Sequence, residues 1–277
     1  MLAQMNVISP VRGTSAPHSF ALPKRSIEEV LAPLNRLASV CANFIPNPEP
    51  FEPAAYALPR YIFVGPRGGG DPIRIGLFAG IHGDEPEGIH ALSRLLGLLA
   101  KEPDVSRGYH LVAYPICNPT GFEDRTRAAR SGKDLNREFW RRSSEPEVRW
   151  LEGELRHQNF DGLISLHTDD TSGGFYGFAH GATITRNIIG PALEAASEFL
   201  PINAAPIIDG FPAENGMIRA GYKGVLRSPP GARPRPFEII LETPHAAPNY
   251  LKEAALIVAT TRIITEYRQF IAYASNL

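Results

Sequence analysis

Short apolar runs alternate along most of the chain with segments whose apolar residues recur at helical spacing. Tyr61-Ile62-Phe63-Val64 and residues 73–79, 110–116, 162–166, 205–208 and 237–241 read as strands. Residues 162–166 and 237–241 have the short apolar character of strands buried on both faces. Between them, Ile89, Leu92, Leu95, Leu96 and Leu99 form one stripe behind Pro86, a residue suited to a first helical turn. Residues 145–158, 183–200 and 250–274 are further helical segments. Ser26-Ile27-Glu28-Glu29 is a capping box that opens a helix to about Cys41, with Pro33 inside it, and a Pro-rich linker over 45–53 follows. Gly65-Pro66-Arg67-Gly68-Gly69-Gly70-Asp71-Pro72 has neither a G-K-[ST] nor a following helix, so it reads as a hairpin turn joining its flanking strands, not as a phosphate loop. The alternation predicts an α/β fold, a three-layer α/β/α sandwich around a mixed, mostly parallel sheet. Residues 1–58 read as an N-terminal extension with one helix, packed on or leading into a main domain over 59–277.

Composition narrows the class. The chain has 277 residues, 43% hydrophobic and 21% charged, which supports one large core. A net charge of -1 gives no general attraction to nucleic acid or anionic membrane. No apolar run approaches the roughly 18–20 residues that span a bilayer. The N-terminus lacks a basic region followed by an apolar stretch, so no signal peptide is expected. Cys41 and Cys117 stand far apart among apolar neighbours, and are expected to be buried thiols in a reducing cytoplasm. Nothing in the sequence sets an oligomeric state.

The candidate chemistry lies at strand ends, where open α/β sheets carry their active crevice. Ile81-His82-Gly83-Asp84-Glu85 joins a strand to a helix, and alone it reads more readily as a capping box beside a surface histidine than as a metal site. His167 and Glu242 end two further strands. His82, Glu85 and His167 make a three-ligand open site of the kind a catalytic zinc uses, where a water's pKa falls to about 7. Glu242, not itself a ligand, is the candidate base for that water. Arg125, Arg127, Arg130 and Arg137 crowd the long charged loop over 117–144, and one or more of them could stabilise an oxyanion or clamp a carboxylate. Asp84 reads as either an orienting partner of an imidazole or a helix cap. Asp169 and Asp170 read as a solvated loop.

Taken in order, H-G-D-E at 82–85, N-P-T-G-F-E at 118–123, Thr126-Arg127 with G-K-D-L-N-R-E-F to Phe139, L-H-T at 166–168 and E-T-P at 242–244 resemble the zinc carboxypeptidase family. The related succinylglutamate desuccinylases and aspartoacylases share the same core. The resemblance runs from about Tyr61 to the C-terminus, making 59–277 a catalytic domain. It implies one zinc held by His82, Glu85 and His167, with Glu242 as general base. It implies Arg127 as the group polarising the scissile carbonyl, and Asn136 with Arg137 holding a terminal carboxylate. Tyr222 is the nearest candidate for the family's tyrosine on a loop before the catalytic glutamate, although the alignment there is loose. The implied activity is hydrolysis of an amide bond next to a free carboxylate, in a peptide or an N-acyl-amino acid. A metallocarboxypeptidase is expected, because only 35 residues, reading as one helix, follow Glu242. The G-I-H-G-D-E-P-E-G form of the first motif keeps a deacylase or a murein-peptide amidase as alternatives, and an inactive binding protein on the same fold as another. Arg219, Lys223, Arg227, Arg233 and Arg235 lie in a loop without acids, which reads first as a solvated basic loop and second as a preference for an anionic C-terminal residue.

Overall fold

The computed structural model describes residues 23–46, 49–50 and 57–274. In chain order the strands are β1 (Phe44–Pro46), β2 (Glu49–Pro50), β3 (Ala57–Leu58), β4 (Tyr61–Val64), β5 (Ile73–Ala79), β6 (Tyr109–Tyr114), β7 (Gly162–Asp169), β8 (Tyr176–Gly181), β9 (Ile207–Ile208), β10 (Phe211–Glu214), β11 (Met217–Ile218) and β12 (Phe237–Pro244). The helices are α1 (Ile27–Val40), α2 (Pro86–Lys101), α3 (Pro119–Asp124), α4 (Pro146–His157), α5 (Thr185–Ala196) and α6 (Asn249–Ala274). The large sheet has the order β1-β4-β6-β5-β7-β12-β8-β11-β10-β9. Its centre, β6-β5-β7-β12, is parallel, and antiparallel pairs flank it on both sides.

The layers follow from strand alternation. Ile75, Leu77 and Ala79 of β5, Ile164 and Leu166 of β7, and Phe237, Ile239 and Leu241 of β12 join one core with residues of α1, α2, α5 and α6. Phe78, Val112, Tyr114 and Leu163 face the other way, onto Val148, Leu151 and Leu155 of α4 and onto Leu135 and Phe139. This second layer covers only part of its face. Over β8 and β12 the sheet opens into the cleft described below.

Several helix ends are locally encoded. Ser26 caps α1, its Oγ accepting from Glu29 N–H at 3.1 Å. Pro86 begins α2, whose Leu92, Leu95, Leu96 and Leu99 are all buried. Asn118 caps α3 and accepts from Gly121 N–H at 2.9 Å.

The hairpin expectation for residues 65–72 is overturned: β4 and β5 do not pair, because β6 lies between them, antiparallel to β4 and parallel to β5. β5 is buried over its last five residues, and it gains parallel partners on both edges, β6 and β7. The glycines therefore carry a crossing, not a two-strand turn. The expected linker also contributes structure, since β1 pairs antiparallel with β4 at the sheet edge. Of the two thiols, Cys117 is buried but Cys41 is only half-buried, at the end of α1. Residues 23–26 pack on the main body: Arg25 donates to the Gly83 carbonyl at 2.7 Å, and Lys24 pairs with Asp124 at 3.2 Å. No helix among the described residues is long and apolar enough to cross a membrane.

Candidate active site

The turn after β5 starts with Gly80 in the left-handed region, φ +61°. It then runs through Ile81 to Glu85 and enters α2 at Pro86. Gly83 lies so close to α3 that a Cβ there would sit 1.9 Å from the Gly121 carbonyl carbon. Only the absent side chain allows that approach. Asn118 ties the neighbouring pieces together, its side-chain amide lying 3.3 Å from the carbonyl oxygens of both Ile81 and Arg127. A Cβ on Gly88 would meet the Leu166 carbonyl oxygen at 2.9 Å, so the start of α2 lies directly against the end of β7.

That approach brings His82, Glu85 and His167 together, all buried, with their ligand atoms within 4.8 Å of one another. His82 Nδ1 is 2.5 Å from Glu85 Oε1, and His167 Nδ1 is 3.0 Å from Glu85 Oε2. Thr168 N–H donates to the same Oε2 at 3.1 Å. Burial opposes the charged form of Glu85, but the two imidazoles outweigh it and hold its carboxyl well below the usual carboxylate range. Burial lowers the His167 pKa; at His82 the effect of burial is outweighed by Glu85 and Asp134, and the pKa rises.

The donor set fits a dication. Two imidazoles converge on one carboxylate through the same ring nitrogen, with all three side chains buried, which is an N/N/O set suited to borderline-soft zinc. The surrounding charge agrees with this. Glu242 is pushed well above its ordinary value by burial and then by Glu85, Asp169 and Asp209, a surplus of negative charge that a bound cation would offset.

The remaining expected residues converge on the same place. His82, Glu85, Arg127, Asn136, Arg137, Tyr222 and Glu242 all line one cleft of about 460 Å³. Glu242 on β12 stands opposite His167 on β7 in the parallel register and opposite Tyr176 on β8 in the antiparallel one. Arg127 is half-exposed, with Nη1 3.6 Å from Glu85 Oε1 and Nε 3.1 Å from Asp134 Oδ2. Asn136 accepts from Leu226 N–H at 2.8 Å, pinning the loop before β12 to the arginine loop. The Arg137 guanidinium lies 4.2 Å over the Tyr222 ring, and Tyr222 OH donates to Asp209 Oδ1 at 2.8 Å.

Two details differ from expectation, and two sets of basic residues lie outside the cleft. The partner of His82 is Asp134, whose Oδ1 is 3.3 Å from Nε2, while Asp84 is exposed along the cleft. His82 and Arg127 hold the Asp134 carboxyl far below its usual range against the effect of burial. Asp134 stands two positions before Asn136, which was the one available sequence signal. Asp169 and Asp170 line the cleft, and Asp169 Oδ2 accepts from Tyr176 OH at 2.8 Å. Arg125 Nε donates to Pro23 O and Arg130 pairs with Glu123 and Asp124, so neither is among the cleft residues. The five cations of 219–235 also do not line the cleft; Arg219 pairs with exposed Glu214.

Metal-ligating histidines are usually oriented by a carboxylate on the second ring nitrogen. Asp134→Asn is therefore expected to weaken zinc binding about 10–100-fold without unfolding the protein. Competition with a chromophoric chelator measures this, and an unchanged affinity would remove Asp134 from the site.

Residues 72–198 match the model of the succinylglutamate desuccinylase/aspartoacylase catalytic domain. No curated protein matches the chain by sequence. Among solved structures, a presumed metallopeptidase of Shewanella denitrificans is 21% identical, with a TM-score of 0.72 over 87% of this chain and 90% of that one. A metallo-carboxypeptidase of Burkholderia cenocepacia is 16% identical, with a TM-score of 0.67 over 89% of this chain and 70% of that one. The fold is that of the metallo-carboxypeptidases. A metallo-carboxypeptidase of Pseudomonas aeruginosa in complex with (2-guanidinoethylmercapto)succinic acid is 18% identical, with a TM-score of 0.60 over 87% of this chain and 69% of that one. The motif resemblance to the zinc carboxypeptidase family and its desuccinylase/aspartoacylase branch is borne out. Within a metallo-carboxypeptidase fold, the His82–Glu85 turn, His167 and Glu242 occupy the strand ends that the parallel centre of the sheet aligns.

Proposed function

We propose that the protein is a zinc-dependent hydrolase that cleaves an amide bond next to a free carboxylate, with one metal held by His82, Glu85 and His167. The observation that carries this is the convergence of those three groups on one point of a cleft that Glu242, Arg127, Asn136 and Arg137 also line. When bound, such an ion supplies the Lewis acidity that polarises a carbonyl and acidifies a water.

The chain's own residues do the rest. Glu242 takes the proton from the attacking water and returns it to the leaving amine, a role suited to a carboxylate whose pKa is raised. Arg127 places a fixed positive charge beside the carbonyl oxygen, where charge develops in the transition state. Asn136 and Arg137 bind the substrate carboxylate, the planar guanidinium matching it with two parallel hydrogen bonds. Tyr222, stacked on Arg137, closes that end of the cleft. Residues 59–277 form the catalytic unit in this reading, with 1–58 as an extension to it, and the location is cytoplasmic.

A metallocarboxypeptidase is the first reading within this class, supported by the fold and by a cleft that Asn136, Arg137 and Glu242 line together. The match over 72–198 favours an N-acyl-amino-acid deacylase as the second. Mass-spectrometric screening of zinc-loaded protein against peptides, cell-wall peptides and acyl-amino acids separates them. Release of C-terminal residues is expected. Release of an acyl group with peptides left intact would select the deacylase, and no turnover on any substrate, with zinc bound, would sink both.

A further inference from the structure

Beneath the metal-site residues lies a buried polar chain that the chemistry above does not use. Lys252 of α6 is 2% exposed. Its Nζ donates to Glu87 Oε1 at 2.7 Å and to the His245 carbonyl at 3.2 Å. Glu87, two residues after Glu85, is buried as well, and its Oε2 is reached by Thr168 Oγ1 at 3.4 Å. Thr168 follows His167, and its N–H donates to Glu85. Thr168 Oγ1 also lies 3.0 Å from Thr243 Oγ1, and the single Thr243 hydroxyl proton is within reach of both that oxygen and the His167 carbonyl oxygen at 3.2 Å. Thr243 in turn follows Glu242. One connected set of polar groups therefore spans α6, α2, β7 and β12; β7 and β12 carry His167 and Glu242, and α2 begins directly after Glu85.

We propose that Lys252 and Glu87 are positioning residues for the metal centre, acting through Thr168 and Thr243 to hold Glu85, His167 and the end of β12 in register. The inference rests on the zinc reading of His82, Glu85 and His167. Docking of α6 does not require the pair. Ala255, Leu256, Ala259, Ile263 and Ile264 already bury an apolar stripe of this helix against α2, α5 and the sheet. A buried ion pair contributes little net stability compared with apolar residues of like volume, whereas removing one partner strands the other. What the pair adds is direction. The Lys252 ammonium fixes Glu87, Glu87 orients the Thr168 hydroxyl, and Thr168 sets the peptide whose N–H meets Glu85. A ligand carboxylate held at a fixed angle loses less freedom on binding metal, and groups of this kind typically change metal affinity by about 10–100-fold.

The test separates positioning from simple stability. Glu87→Met and Lys252→Met singly are expected to lower Tm by roughly 6–15 °C, since each leaves a buried charge unpaired. The double variant Glu87→Met/Lys252→Met replaces the pair by apolar side chains and is expected to recover most of that Tm while still binding zinc about 10–100-fold more weakly. Thr168→Val cuts the chain at its middle and leaves the Thr168 N–H to Glu85 intact. It is expected to weaken zinc binding with a smaller loss of Tm than either single charge variant, and to shift the visible absorption of the cobalt-substituted protein. Wild-type zinc affinity in Thr168→Val overturns the proposal whatever the double variant does. Wild-type affinity in the double variant once its Tm has recovered overturns it too, by showing that the pair acts on stability alone. Failure of the wild-type protein to bind zinc would instead overturn the metal reading, and this inference with it.

Discussion

Glu242→Gln is expected to lower kcat by about 10²–10⁴-fold, the range that a positioned general base contributes, while zinc stays bound in the wild-type amount. Gln keeps the size of Glu and removes only the charge and the proton-accepting oxygen. Burial and the carboxylates of Glu85, Asp169 and Asp209 already disfavour charge at this position, so a neutral amide leaves the cleft unstrained. The fold should not suffer, because Glu242 sits at the end of β12 with its backbone paired to β7 and β8. Steady-state kinetics with metal analysis of the same sample checks this. A Gln variant that turns over like the wild type with its zinc in place would remove Glu242 from the mechanism.

Replacing Glu85 has the opposite signature. In Glu85→Ala, zinc content is expected to fall from about one per chain to near zero, and turnover falls with it because the metal is lost. The Glu85 carboxylate touches both imidazoles and the Thr168 N–H. Its removal leaves three buried polar groups without their shared acceptor, which also lowers stability by a few kcal/mol, on the order of 1–3 for each buried group left unpaired. Dialysis against zinc followed by elemental analysis, alongside thermal unfolding, reads both effects. Stoichiometric zinc in the alanine variant would show that the metal sits elsewhere. Together the two substitutions divide the proposed site: one should cost metal, the other turnover with metal retained.

Much of this architecture was legible along the chain, for a local physical reason. The capping box at Ser26, the stripe behind Pro86 and the buried runs of β7 and β12 each depend on neighbours within a few residues, so their pattern survives in one dimension. The candidate ligands were legible because parallel strands align their carboxyl ends; His82, His167 and Glu242 each follow or end such a strand. The family resemblance added the ordering of Arg127, Asn136 and Arg137, which strand periodicity alone does not specify.

Other features depend on partners distant in sequence. Which strand lies beside β5 is a question of edge hydrogen bonding, and the apolar character of β5 is the same whether β4 or β6 pairs with it. The charge of the loop over 219–235 could be counted, but not placed: its cations do not line the cleft, whereas Asp84, Asp169, Asp170 and Asp209 do. Asp134 meets His82 across 52 positions, and Lys252 meets Glu87 across 165. In sequence, Lys252 is one more lysine on a helix, and only packing takes it from the surface to the interior. The sequence by itself determined the central parallel strands, the long helices and the chemical types at the strand ends, because those follow from backbone propensity and apolar spacing; β8, β10 and β11 carry no such pattern and come from the structure. The tertiary structure alone decided strand order, the carboxylate behind His82 and the buried chain from Lys252 to Glu85. These rest on through-space contacts between charged and polar groups, for which spacing along the chain carries no signal.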